Sequence, residues 1–179
     1  MPSNRKALVA AIDFGTTYSG IAFSYRHDYE NDPLKVSSNK WTAGYSYRGL
    51  ESLKTPTCIL FNKDKVFDSF GYEAEDKYSE LAEEEEHEEW YYFKRFKMSL
   101  FNTEEPLSKA LKIKSIDGKE MLALDVFSAA IKFLRGQLRQ SLEEEGSGIR
   151  ETDMGWVLTV PAIWDDPARQ FMREAAVRV

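Results

Sequence analysis

The chain predicts an α/β fold, and three observations carry that expectation. Residues 8–12 (LVAAI) form an unbroken apolar run, the pattern of a strand covered on both faces. Phe127, Ile131, Leu134, Leu138 and Leu142 step by four, three, four and four, which lays one continuous stripe along an amphipathic helix. Between these lie short β-prone segments separated by turn residues. With 179 residues, 42% hydrophobic and 13% aromatic, the chain is long enough to bury a core of one or two compact subdomains.

Taken in order, the run 8–12 ends at Asp13, and a second β-prone segment, 20–25 (GIAFSY), follows after Gly15-Thr-Thr-Tyr-Ser. The two read as a hairpin with its turn at 15–20. Residues 26–54 show no period and read as a long surface excursion. Segments 56–61 and 66–70 form a second expected hairpin around Asn62-Lys-Asp-Lys65. From 72 to about 101 the composition is rich in Glu, Ala, Lys and Leu without Gly or Pro, which predicts a helix. Its glutamates at 83–86, 88 and 89 point all round such a helix and read as a solvated stretch rather than a metal or partner site. Segment 111–116 alternates apolar and polar residues, and Asp117-Gly118 turns it back into 120–122 as a third hairpin. The striped helix then runs to Gly146. Segment 156–160 (WVLTV) is another strand, stopped by Pro161. Asp166 as N-cap and Pro167 at the first helical position open a last helix, which buries Phe171, Met172, Ala175 and Ala176. No stop signal follows that helix at Val179, so the protein is expected to continue.

Composition narrows the function classes. A formal net charge of −6 and a pI near 5.1 disfavour nucleic acid and anionic lipid as partners. Cys58 is the single cysteine and the two histidines have no ligand spacing, which predicts a reducing compartment without structural zinc. No apolar run approaches a membrane span, and the expected location is cytoplasmic.

The turn after Asp13 is the chemical signal. A strand, a turn of small residues and hydroxyls, and a second strand form a concavity whose N–H groups can face an anion, and phosphate is the natural occupant. Asp13 suits a hydrated cation bridging to such phosphates, while Thr16 and Thr17 add hydroxyl donors. A Gly-Thr-Thr hairpin is also ordinary turn chemistry. Neither a Walker A lysine motif nor a GxGxxG pattern is present, so P-loop and dinucleotide folds are not supported.

"AIDFGTTYSGIAF" resembles the first phosphate-binding hairpin of the actin-like ATPase superfamily, in the form found in 70-kDa heat-shock proteins. "TPTCILF" with "FGYEAED", and then "WVLTVPAIWDDPARQFMREAA", resemble further pieces of that family in order. With "YFKRFKM", the chain most resembles the atypical protein-12 branch. The resemblance implies a ribonuclease-H-like lobe, a mixed sheet with flanking helices, in which about 1–54 and 123–179 form the core subdomain. About 55–122 would be an inserted, smaller α+β subdomain. It implies ATP or ADP with Mg2+, and K+ as a further cation, as cofactors. Asp13 would meet those cations through water, Thr16, Thr17 and Tyr18 would bind phosphate, and Gly15 would permit its close approach. A lysine beside the γ phosphate is offered by Lys94 and Lys97, of which Lys97 is favoured. Basic residues interleaved with aromatics are also a nucleic-acid pattern, disfavoured in an acidic protein. Pro161 and Arg169 match positions that relay nucleotide state to a peptide-binding domain, though a strand-ending proline and a surface arginine are equally plain readings. Client proteins and co-chaperones are the implied partners. The second phosphate loop, the catalytic glutamate and the adenosine motif of the family fall outside these residues, so the lobe alone is expected to hydrolyse poorly. Two alternatives stand beside this reading: a ligand- or partner-binding module on the same fold, and a small-molecule kinase of the superfamily.

Overall fold

The computed structural model describes residues 6–42, 50–101 and 107–179. The first hairpin pairs β1 (Leu8–Phe14) with β2 (Tyr18–Tyr25), with Asp13 opposite Gly20 and Phe14 opposite Ser19, so the turn itself is only residues 15–17. The region 26–54 is more structured than an aperiodic excursion. It contains α1 (Arg26–Asn31), β3 (Ser37–Ser38), β4 (Trp41–Thr42) and β5 (Glu51–Ser52), while residues 43–49 of it lie outside the described residues. Next come β6 (Thr55–Pro56), β7 (Cys58–Phe61) and β8 (Phe67–Phe70). The turn between the last two carries Lys65 at φ 60, with the Asn62 side chain accepting from Asp64 and Val66.

The expected helix over 72–101 is corrected. Only α2 (Tyr72–Glu83) is helical at length; residues 84–86 break away, with Glu85 at φ 60, and a strand, β9 (Tyr91–Lys94), follows a single 3-10 turn. The reason is physical. Consecutive glutamates repel one another at the helix end, and the aromatic run 91–93 gains more by pairing with β7, where Phe93 and Tyr92 are buried, than by extending a helix. The glutamates at 83–86 are exposed, as a solvated stretch should be.

A hairpin of β10 (Lys112–Lys114) and β11 (Glu120–Leu122) turns at Gly118, φ 81, and feeds α3 (Ala123–Glu144). All five stripe residues of α3 are buried, Phe127, Leu134 and Leu138 completely. The chain then forms β12 (Met154–Leu158) and α4 (Asp166–Val177). The N-cap of α4 is Asp165 rather than Asp166: its carboxylate accepts from the Ala168 amide at 2.9 Å, and Asp166 is already helical. Phe171, Met172 and Ala175 are buried, and Ala176 is half-buried.

The α/β class is therefore observed. The main sheet is mixed, ordered β12-β1-β2-β3, with β6 pairing the start of β2; β12 runs parallel to β1 and the other ladders are antiparallel. A separate antiparallel sheet is ordered β8-β7-β9. Helix α3 touches β1, β2, β8 and α4, and one apolar cluster joins both sheets to α3 and α4. Truncation of one fully buried residue tests this centre: Leu134→Ala should lower unfolding stability by about 2–5 kcal/mol in urea titration, with the secondary structure retained.

Candidate functional site

The site grows from the end of β1. Alternation along the strand turns Phe14 into the core and Asp13 outward. Phe14 is fully buried, with ring centroids 6.0 Å from Phe96 and 5.9 Å from Phe127. The next residue cannot carry a side chain, because a Cβ on Gly15 would run into the Tyr18 carbonyl. Thr16 is half-buried; Thr17 and Tyr18 are exposed at the mouth of the turn.

The turn is held from behind by two elements of the second sheet. Thr57, immediately before β7, donates its hydroxyl to the Gly15 carbonyl at 2.9 Å and shares a hydrogen bond with Ser19 at 2.8 Å, while its amide donates to the Thr17 carbonyl at 2.8 Å. β9 ends beside β7, and Arg95, at φ 54, makes a left-handed corner into the 3-10 turn Phe96–Leu100. That corner drives Lys97 inward, where its Nζ donates to the Phe14 carbonyl. Three carbonyls of the turn region, those of Phe14, Gly15 and Thr17, thus face protein donors.

Lys97 is buried, its ammonium 5.0 Å from the Trp164 ring centroid and 5.5 Å from that of Phe14. Burial lowers its pKa to about 8, and the Asp13 charge opposes part of that shift. Lys94 lies elsewhere: its Nζ donates to Glu75 on α2 at 2.8 Å. Only Lys97 of the two expected lysines reaches the turn. Asp13 is half-exposed, and both of its oxygens are engaged, Oδ2 by Lys54 Nζ at 2.6 Å and Oδ1 by the Thr159 hydroxyl at 3.0 Å. The Lys54 hydrogen bond leads the effects that hold its carboxyl below the usual range. Among the described residues no group of three or more His, Cys, Asp or Glu could hold a metal ion. A single carboxylate fits a hydrated cation brought in by a ligand, not a resident one.

Pro161 and Arg169 lie next to this centre. The Pro161 carbonyl accepts from the Trp164 amide at 3.2 Å, and Arg169 donates to the Ala162 carbonyl at 3.1 Å. Together with Asp165 they shape the connection that seats Trp164 over Lys97.

Four residues of the centre were not singled out by sequence reasoning: Lys54, Thr57, Thr159 and Trp164. Thr159 had a local signal only, as the hydroxyl near the end of the strand-like run before Pro161; that this end lies beside Asp13 follows from the parallel pairing of β12 with β1. Thr57 and Lys54 had none, because their roles depend on which strands pair.

Two measurements probe this geometry. Thr57→Val keeps the shape but strands the Gly15 carbonyl and the Ser19 hydroxyl, and should cost about 1–3 kcal/mol, with faster amide exchange in the turn. The Lys97 ammonium is disfavoured in the folded state, so its penalty is full below pH 8 and fades as pH rises from about 8 to 10.5. Urea titrations across that window should therefore show the protein gaining stability relative to Lys97→Met.

No protein-family model matches the chain. Heat shock 70 kDa protein 12B of Homo sapiens is 44% identical over 171 residues, 95% of this chain and 24% of the relative. Heat shock 70 kDa protein 12A is 41% identical in Mus musculus and 39% in Homo sapiens, each over 94% of the chain and 24% of the relative. The chain thus spans about a quarter of the length of the curated relatives it matches. Among solved structures, that of MreB5 of Spiroplasma citri bound to ADP aligns with 99% of this chain and 36% of its own, at 13% identity and a TM-score of 0.46. Along nearly all of its 179 residues, the chain is similar to heat shock 70 kDa proteins 12A and 12B.

Proposed function

We propose that this chain is the ATP-binding lobe of an atypical 70-kDa heat-shock, chaperone-like protein, with the 13–18 turn as its phosphate cradle. One observation carries the reading: the carbonyls of Phe14, Gly15 and Thr17 are bound from behind by Lys97 and Thr57. An anion arriving at the mouth meets the hydroxyls of Thr16 and Thr17 and the amides of the turn rather than carbonyl oxygens. Gly15 keeps that approach free of a side chain.

In this reading Thr16, Thr17 and Tyr18 hold the β and γ phosphates, and Asp13 meets a magnesium ion, carried by the nucleotide, through its water shell. That ion, when bound, neutralises phosphate charge. Lys97, desolvated beneath the turn, adds a positive charge behind it and keeps the Phe14 carbonyl turned away from the phosphate. Pro161 and Arg169, which set the connection bearing Trp164, pass the state of Lys97 on to the rest of the protein and its clients. The lobe comprises about 1–54 and 123–179 as core, with about 55–122 as an inserted, smaller subdomain. Phosphoryl transfer needs groups on both sides of the phosphate chain, and the residues named here stand on one side of it. The expected setting is cytoplasmic; no described helix is long and apolar enough to cross a membrane.

Hydrogen exchange with and without millimolar MgADP is the direct test. The amides of 15–18 should gain protection, and absence of any change would overturn the reading in favour of a partner-binding module. Lys97→Met should weaken MgADP binding about tenfold, about 1.4 kcal/mol, because it removes the charge beneath the turn and frees the Phe14 carbonyl, with the native secondary structure retained by circular dichroism.

A further inference from the structure

The carboxylate expected to meet a potassium ion already has a cation of its own. Lys54 Nζ lies 2.6 Å from Asp13 Oδ2, and the Thr159 hydroxyl occupies Oδ1 at 3.0 Å. Three features build this pair into the backbone. Lys54 directly precedes β6, whose Thr55 pairs Ser19 of β2, so the lysine enters at a fixed register. Thr55 is itself buried, with its hydroxyl accepting from the Tyr72 amide at 3.2 Å. Gly20, directly opposite Asp13, leaves the surface bare for the Lys54 stem to cross. A Cβ there would come within 2.9 Å of the Leu53 carbonyl oxygen and 3.2 Å of Lys54 Cγ.

The geometry points to Lys54 as the resident monovalent cation of this site, an ammonium that takes the place of an alkali-metal ion beside Asp13 and makes polyphosphate binding independent of potassium. The inference rests on the phosphate reading of the turn. An ammonium tethered to the fold offsets the Asp13 charge, so an incoming phosphate chain does not face an uncompensated carboxylate. It also costs less to place than a free ion, because its translational freedom is already lost.

Two readouts test this, one of them free of nucleotide. In the first, the Asp13 carboxyl carbon signal is followed by NMR as choline chloride is replaced by potassium chloride at constant ionic strength. It should stay fixed in the wild type and in Lys54→Arg, and shift in Lys54→Met, whose carboxylate is open to the ion. A potassium-dependent shift in the wild type, or none in Lys54→Met, overturns the inference. In the second, calorimetry gives the Kd for MgADP in the same two salts. The wild type should change less than about twofold, whereas Lys54→Met should lose about tenfold in choline and recover part of it in potassium. A wild type that needs potassium overturns the role of Lys54. Failure of every variant to bind MgADP overturns the phosphate reading, while the carbon signal still decides whether Lys54 excludes potassium from Asp13.

Discussion

Everything at the mouth of the turn depends on Phe14 being locked into the core. Its ring sits against Phe96 and Phe127, which are themselves 5.0 Å apart edge to face, and Phe127 reaches Phe171 of α4 at 5.7 Å. One aromatic cluster therefore ties the end of β1, the 3-10 turn after β9, α3 and α4 to a common point. Aromatic pairs of this kind hold position as well as contributing buried area. Because Phe14 cannot move without opening that cluster, the backbone on either side of it is fixed. Asp13 is held outward, and the Phe14 carbonyl is held where Lys97 finds it.

The second sheet turns that fixed point into a site. β7 and β9 are paired so that Thr57 and the Arg95 corner lie side by side, with the Arg95 amide reaching the Thr57 carbonyl at 3.4 Å. Thr57 grips the turn through its hydroxyl and its amide, and Lys97 grips it two residues past the corner. The lysine is costly to bury, and its depressed pKa records that cost. A protein seeking stability alone would place an apolar residue there. The charge lies beneath the turn proposed to take an anion, and a buried ionisable group with a depressed pKa marks a candidate functional site.

How much of this was legible in the sequence divides along a physical line. Local patterns were legible: the continuous run of β1, the stripe of α3, the Asp117-Gly118 hairpin and the glycine and hydroxyls of the turn each follow from neighbours within a few residues. The failures came where tertiary pairing overruled local composition. Residues 91–94 sit in a glutamate-rich context that reads as helix, yet their aromatic side chains are claimed by β7. The cap of α4 moved by one residue because two adjacent aspartates compete and only Asp165 has the extended backbone a cap requires. Lys54 and Thr57 were invisible because nothing in their surroundings in the chain announces that they will stand 41 and 42 residues away from the atoms they bind.

Trp164 lies with its ring 5.0 Å from the Lys97 ammonium, buried and seated by the connection between β12 and α4. Indole emission responds to a charge at that distance, so this side chain is an intrinsic optical sensor of the lysine beneath it. Any ligand that draws the ammonium toward the turn, or strips its proton, alters the electric field across the ring. The same stacked pair that holds the lysine in place thereby makes its state visible from outside, with no label attached.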